Sequence, residues 1–234
     1  MNQWDQLTDI FGSVGEENSI LECVADNVHI AWPSIIKSIS GEFQEPTKNN
    51  ALDFGCGGGM FCRKLSQMGF EVTGYDKSDE LIKSAKLNVP KAVTLTSSNS
   101  VVLENGSYNM INSIMVLQFI SDIESIIDNF ISILKPNGLV IFSVFNPEFI
   151  EDNLNTNVFS DFDSFKTGYM KLKKGLKIPV YNRTEEEYRE IFEKRGFEEV
   201  YIDYPEFTGE FLKEYQMPFS TKYSEFLIQA FKYK

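Results

Sequence analysis

The chain has 234 residues, 42% of them hydrophobic and 14% aromatic, which suffices for one continuous core and excludes a disordered polymer. Its formal net charge of −12 lacks the basic surface that a nucleic-acid backbone demands, so the expected partner is small or cationic and no nucleic acid is expected. No apolar run approaches the ~20 residues that span a bilayer, and the start MNQWDQLTDI has no secretory-signal pattern, so no membrane partner is expected.

In chain order, Ser19 and Glu22 have capping-box spacing ahead of Val24, Val28 and Ala31. Pro33 predicts a kink or break, followed by a second helical piece through Ile39 that Gly41 stops. ALDF, FEVTGY, AVTL, YNMINSI and LVIFSVF are short apolar runs that alternate with helical patterns, the mark of βαβ units and a parallel sheet. Ile123, Ile126, Ile127, Phe130, Ile131 and Leu134 lie on one helical face, ended by Lys135, Pro136 and an Asn137–Gly138 turn. Residues 146–182 carry aromatics among charges of both signs with no clean period, and are too long for an ordinary loop. They read as a lid-like insertion, with a packing insertion as the alternative. Thr184 and Glu187 form a second capping box on a helix closed by Gly196, and EEVYIDY and EFLIQAF read as the final strands.

Three cysteines without a pairing pattern suggest free thiols and a reducing cytoplasm, and with one histidine no metal site is expected. The run Lys171, Lys173, Lys174 and Lys177 reads as a solvated loop face, with attraction of an anionic acceptor as the alternative.

The first strand runs into Asp53-x-Gly55-x-Gly57-x-Gly59. Met60 stands where a dinucleotide fingerprint needs glycine, and no Gly-Lys-Ser or Gly-Lys-Thr follows, so neither that fingerprint nor a P-loop is satisfied. Asp-x-Gly-x-Gly-x-Gly after a strand resembles motif I of the class I S-adenosylmethionine-dependent methyltransferases. VTGYDKS resembles that family's second strand and its acid, ENGSYNMINSIMVLQFISD its fourth strand and turn, and LKPNGLVIFSVFNP its fifth. YNRTEEEYREIFEKRGFEEVYI resembles its late helix and sixth strand, so the likeness runs in order over roughly residues 45 to 233.

The resemblance implies one α/β domain over residues 1–234: a Rossmann-like seven-stranded sheet, mostly parallel with an antiparallel last strand, and helices on both faces. Residues 1–44 would form an N-terminal helical cap. It implies S-adenosyl-L-methionine as cofactor, with Asp53 at the amino-acid end, Gly55, Gly57 and Gly59 allowing close backbone approach, and Asp76 accepting from both ribose hydroxyls. Ser97, Ser98 and Asn99 fall where relatives meet adenine, and Ser113 is expected near the sulfonium. The expected reaction is methylation of a small-molecule acceptor at oxygen or nitrogen, with a non-catalytic cofactor-binding regulator as the alternative. His29 is the candidate general base, a plain helix residue being the alternative, and Gln118 is the candidate acceptor contact. Cys56 has no basic neighbour in the sequence to activate it as a nucleophile.

Overall fold

The computed structural model describes residues 3–8, 24–91, 93–97, 107–154, 156–172 and 175–234. The capping box at Ser19 and Glu22, and the adenine candidates Ser98 and Asn99, lie outside them. Among the described residues seven strands form one sheet: β1 (Asn50–Phe54), β2 (Glu71–Tyr75), β3 (Thr94–Thr96), β4 (Tyr108–Ile114), β5 (Leu134–Phe145), β9 (Phe197–Asp203) and β10 (Phe226–Tyr233). Their order is β3-β2-β1-β4-β5-β10-β9. β1 pairs in parallel with both β2 and β4, and β10 runs antiparallel to both neighbours, as expected for the last strand.

Alternation along the strands divides the core between the two faces of the sheet. Ala51, Ile141 and Ile228 face one apolar cluster, built with Ile35 and Ile39 of helix α1 (Trp32–Glu42) and Leu65 of α2 (Met60–Gln67). Leu52, Phe142 and Leu227 face the other, built with Ile127 and Phe130 of α4 (Ile123–Ile133) and Phe192 of α6 (Glu185–Glu193). Phe192 stacks on Phe231 of β10 with ring centroids 4.2 Å apart. α3 (Asp79–Asn88) connects β2 to β3 and is N-capped by Ser78, whose Oγ accepts from Leu81 N. The Thr184–Glu187 capping box is present at the start of α6.

Pro33 does not break the helix. A π-helical turn over Asn27–Ala31 runs directly into α1, and Pro33 occupies the first turn of α1, where a missing N–H costs little. Gly41 does not stop α1 either, because the helix continues to Glu42.

Residues 146–182 contain a short helix α5 (Pro147–Asp152) and a three-stranded antiparallel sheet: β6 (Phe159–Asp163), β7 (Thr167–Lys171) and β8 (Lys177–Tyr181). Phe149, Phe159, Met170 and Val180 of this unit pack on Phe145 at the end of β5, forming a third cluster. The unit is therefore anchored by its own core at the carboxyl end of the main sheet. No helix of the described residues is long and apolar enough to cross a membrane.

Candidate active site

The glycine loop bends sharply because Gly55, Gly57 and Gly59 all take positive φ (83°, 52° and 82°). The N–H groups of Gly55 and Cys56 donate to Tyr75 O at 2.7 and 2.9 Å, so the loop continues the β1–β2 pairing. Asp76, at the end of β2, accepts from Gly57 N at 3.0 Å through Oδ2 and from Ser78 N at 2.9 Å through Oδ1. Burial, opposed by these two bonds, raises the Asp76 carboxyl above the usual carboxylate range.

One strand over, Asp53 is fully enclosed. Asn112 Nδ2 donates to its Oδ1 at 2.9 Å, and Cys62 Sγ lies 3.2 Å from its Oδ2. Burial first, with the nearby Asp76 charge adding to it, pushes Asp53 from 3.8 up to about 6. Between those two pH values the folded state holds a proton that the unfolded state has lost, so stability falls as pH rises across that window. The expected loss is about 3 kcal/mol for this group alone. Urea unfolding from pH 4 to 7 should show the fall in the parent and a shallower slope in Asp53→Asn. Parallel curves for the two proteins would remove Asp53 as its source.

These groups open on a cavity of about 650 Å³ beyond the carboxyl ends of β1, β2, β4 and β5. This is where the strand order reverses, since β1 has β2 on one side and β4 on the other, and open α/β sheets take their ligands at such a point. Asp53, Gly55, Gly57 and Asp76 all line it. Gly59 does not. It caps α2, and a Cβ there would lie 2.6 Å from Val89 Cγ1, so Gly59 lets α2 and α3 approach each other.

The N-terminal segment and the insertion both wall the cavity. Trp4, Asp26, Asn27 and Trp32 come from the first, and Phe149, Val158, Met170 and Lys171 from the second. Trp4 packs edge-on against Phe119 with ring centroids 5.1 Å apart, while Ser78 Oγ donates to Asp5 Oδ1 at 2.6 Å. Of the lysine run, Lys171 lines the cavity, Lys177 pairs with Asp161 at 2.6 Å, and Lys173 and Lys174 lie outside the described residues.

Four other sequence candidates lie away from the cavity wall. His29 is exposed on the π-helical turn and packs beside Tyr215, with ring centroids 5.5 Å apart and Nε2 3.4 Å from the Tyr215 hydroxyl. The wall is formed instead by its neighbours Asp26, Asn27 and Val28, which leaves the His29 imidazole outside the cavity. Gln118 is buried behind the wall, with Nε2 3.8 Å from Met115 Sδ. Ser113 donates to Phe54 O at 3.2 Å and ties β4 to β1. The Ser97 hydroxyl is taken by Asp79. In exchange the cavity wall contains Asp26 and Glu225, two acids that the sequence reading passed over.

A family model described as a methyltransferase domain matches residues 25–202. The ubiquinone biosynthesis O-methyltransferase of Rickettsia canadensis (strain McKiel) is 30% identical over 131 residues, covering 54% of this chain and 54% of that protein. The protein of the same name from Bordetella avium (strain 197N) is 28% identical over 117 residues, 47% of each chain. The chain thus spans about half the length of the curated relatives it matches. The crystal structure of magnesium protoporphyrin IX methyltransferase from Synechocystis PCC 6803 with bound S-adenosylhomocysteine superposes with a TM-score of 0.65 at 17% identity, covering 99% of this chain and 94% of that one. An S-adenosylmethionine-dependent methyltransferase from Mesorhizobium loti superposes with a TM-score of 0.64 at 18% identity, covering 89% and 97%.

Proposed function

This chain belongs to the methyltransferase-domain family, and we propose that it is an S-adenosylmethionine-dependent methyltransferase acting at oxygen or nitrogen of a small molecule. The observation that carries the reading is Asp76, a buried carboxylate at the switch point whose two oxygens each hold one backbone N–H of the surrounding loops. A carboxylate offers about four acceptor positions, so about two remain for a ribose diol. Gly55 and Gly57 present bare backbone to the same space. Asp53, raised by burial, becomes easier to ionise when a cation such as an α-ammonium comes near it.

When bound, the cofactor supplies a methyl group on a positively charged sulfur, an electrophilic carbon. The residues of this chain have to place an acceptor in line with that carbon and keep water out. Orientation of this kind contributes up to roughly 7–11 kcal/mol in well-ordered systems. The apolar wall of Met115, Phe119, Phe145 and Phe149 supports exclusion of water, and the N-terminal segment with the β6–β8 unit serves as its lid. The name of the curated relatives supports oxygen as the methylated atom.

Incubation with methyl-labelled S-adenosylmethionine and fractionated metabolite extract tests the reading. Label should pass into a small molecule, with S-adenosylhomocysteine formed in equal amount. Tight cofactor binding without turnover in any fraction would favour a regulatory protein, and absence of binding would overturn both.

A further inference from the structure

The cavity has a second polar end. Asp26, just ahead of the π-helical turn, and Glu225, just ahead of β10, both line it and are 8% and 6% exposed. The two carboxyls lie near enough for Asp26 to perturb the ionisation of Glu225. Asn27 serves Asp26 Oδ1 twice, from its backbone N at 2.6 Å and from Nδ2 at 3.2 Å. Glu225 Oε2 is buried and receives no donor from the protein. The Glu225 backbone is held rigidly: its carbonyl accepts from Asn146 N at 2.8 Å, and Asn146 Nδ2 donates to Ser224 O at 3.0 Å.

Two acids this enclosed are expensive to ionise together. Burial, then the facing Asp26, pushes Glu225 well above the usual carboxylate range, and burial also raises Asp26. Among the described residues no lysine, arginine or histidine forms a salt bridge with either acid, although Lys171 lines the same cavity. A structural acid pair would be expected to sit behind the wall, satisfied by its own donors. This one sits in the wall with an oxygen unserved.

Its place in the sheet separates it from the glycine loop. β1 carries that loop, and β4 and β5 intervene before β10. Three strand spacings amount to roughly 14 Å. The intervening wall is apolar, with Met115, Phe119, Phe145 and Phe149. An acceptor can therefore reach toward the cofactor end with one group and toward the acids with another.

We propose that the Asp26–Glu225 pair anchors a basic nitrogen of the methyl acceptor, so that the acceptor is an amine with an aromatic or apolar body. The proposal rests on reading this cavity as a methyltransferase site. A protonated amine supplies the donors that Glu225 Oε2 lacks and the charge that the pair lacks, through charge-assisted hydrogen bonds.

Three probes of matched size test it by calorimetry on protein saturated with S-adenosylhomocysteine: phenethylamine, 2-phenylethanol and 3-phenylpropionate. Phenethylamine should bind at least about tenfold more tightly than the alcohol, and the carboxylate should bind most weakly. E225Q and D26N should each abolish the preference for the amine, while affinity for S-adenosylhomocysteine stays within about threefold of the parent, since the two ends are well separated. Equal binding of amine and alcohol would overturn the proposal and favour a neutral hydroxyl anchor. A preference for the amine that survives in both variants would also overturn it. Failure of S-adenosylhomocysteine to bind, with the amine preference intact on the unliganded protein, would overturn the methyltransferase reading and leave the anchor standing.

Discussion

Asp76→Ala is expected to weaken S-adenosylhomocysteine binding by about tenfold to several hundredfold, since a hydrogen bond to a charged group contributes roughly 1.5–3 kcal/mol. The substitution acts in two ways. It removes the acceptor proposed for the ribose hydroxyls, and it frees the N–H groups of Gly57 and Ser78 that the carboxylate now fixes. The fold should survive, because Asp76 borders the cavity and water can serve both freed N–H groups. Burial also holds this carboxyl above its ordinary range, so its ionised form costs stability rather than adding to it. Calorimetry decides the matter. A folded variant with parental affinity would remove Asp76 from the cofactor site.

Gly57→Val should have the larger effect, a loss of cofactor binding beyond about a hundredfold. The residue has φ 52°, in the left-handed region where a side chain costs roughly 1–2 kcal/mol, and a β-branched one has few rotamers to escape with. Its backbone borders the cavity beside Asp76, so the valine methyl groups would take space that the cofactor needs. Gly57→Ala should fall between parent and valine variant. Near-equal melting temperatures for parent and alanine variant would separate lost space from lost folding. If Gly57→Val binds as the parent does, the glycine run is only a turn, and the proposed function loses its anchor.

The glycine-loop end of the cavity was legible in the sequence because its residues are local. Asp53, Gly55, Gly57 and Asp76 lie on β1, β2 and the loop that leaves β1, and the parallel pairing of the two strands brings their carboxyl ends together. The antiparallel last strand was implied by the family resemblance, and β10 does run antiparallel between β5 and β9. The acidic end of the cavity was not legible. Asp26 and Glu225 come from opposite ends of the chain and meet only through the tertiary fold, and nothing in VADNVHIAW or YSEFLIQAF marks either acid as buried. His29 drew attention for its chemistry, yet the π-helical turn and the Asp26 that caps it present Asp26, Asn27 and Val28 to the cavity and leave the imidazole outside. The β6–β8 sheet was missed because its strands are short and their alternation is mixed with charges. Phe159, Met170 and Val180 do alternate inward, but on segments of five residues each.

The position of β10 also bears on how the molecule is made. It follows β9 in the chain, yet it lies between β9 and β5 and hydrogen-bonds to both along nearly its whole length. During synthesis β9 therefore leaves the ribosome with no neighbour to pair with, and β5 keeps one edge open, until the final strand follows. Open edges of apolar strands invite pairing with other chains. A product released before residue 226 would carry two such edges and would lack half of the Phe192–Phe231 stack. The sheet is thus closed only when β10 inserts between β5 and β9, and until then both strands present edges open to pairing with other chains.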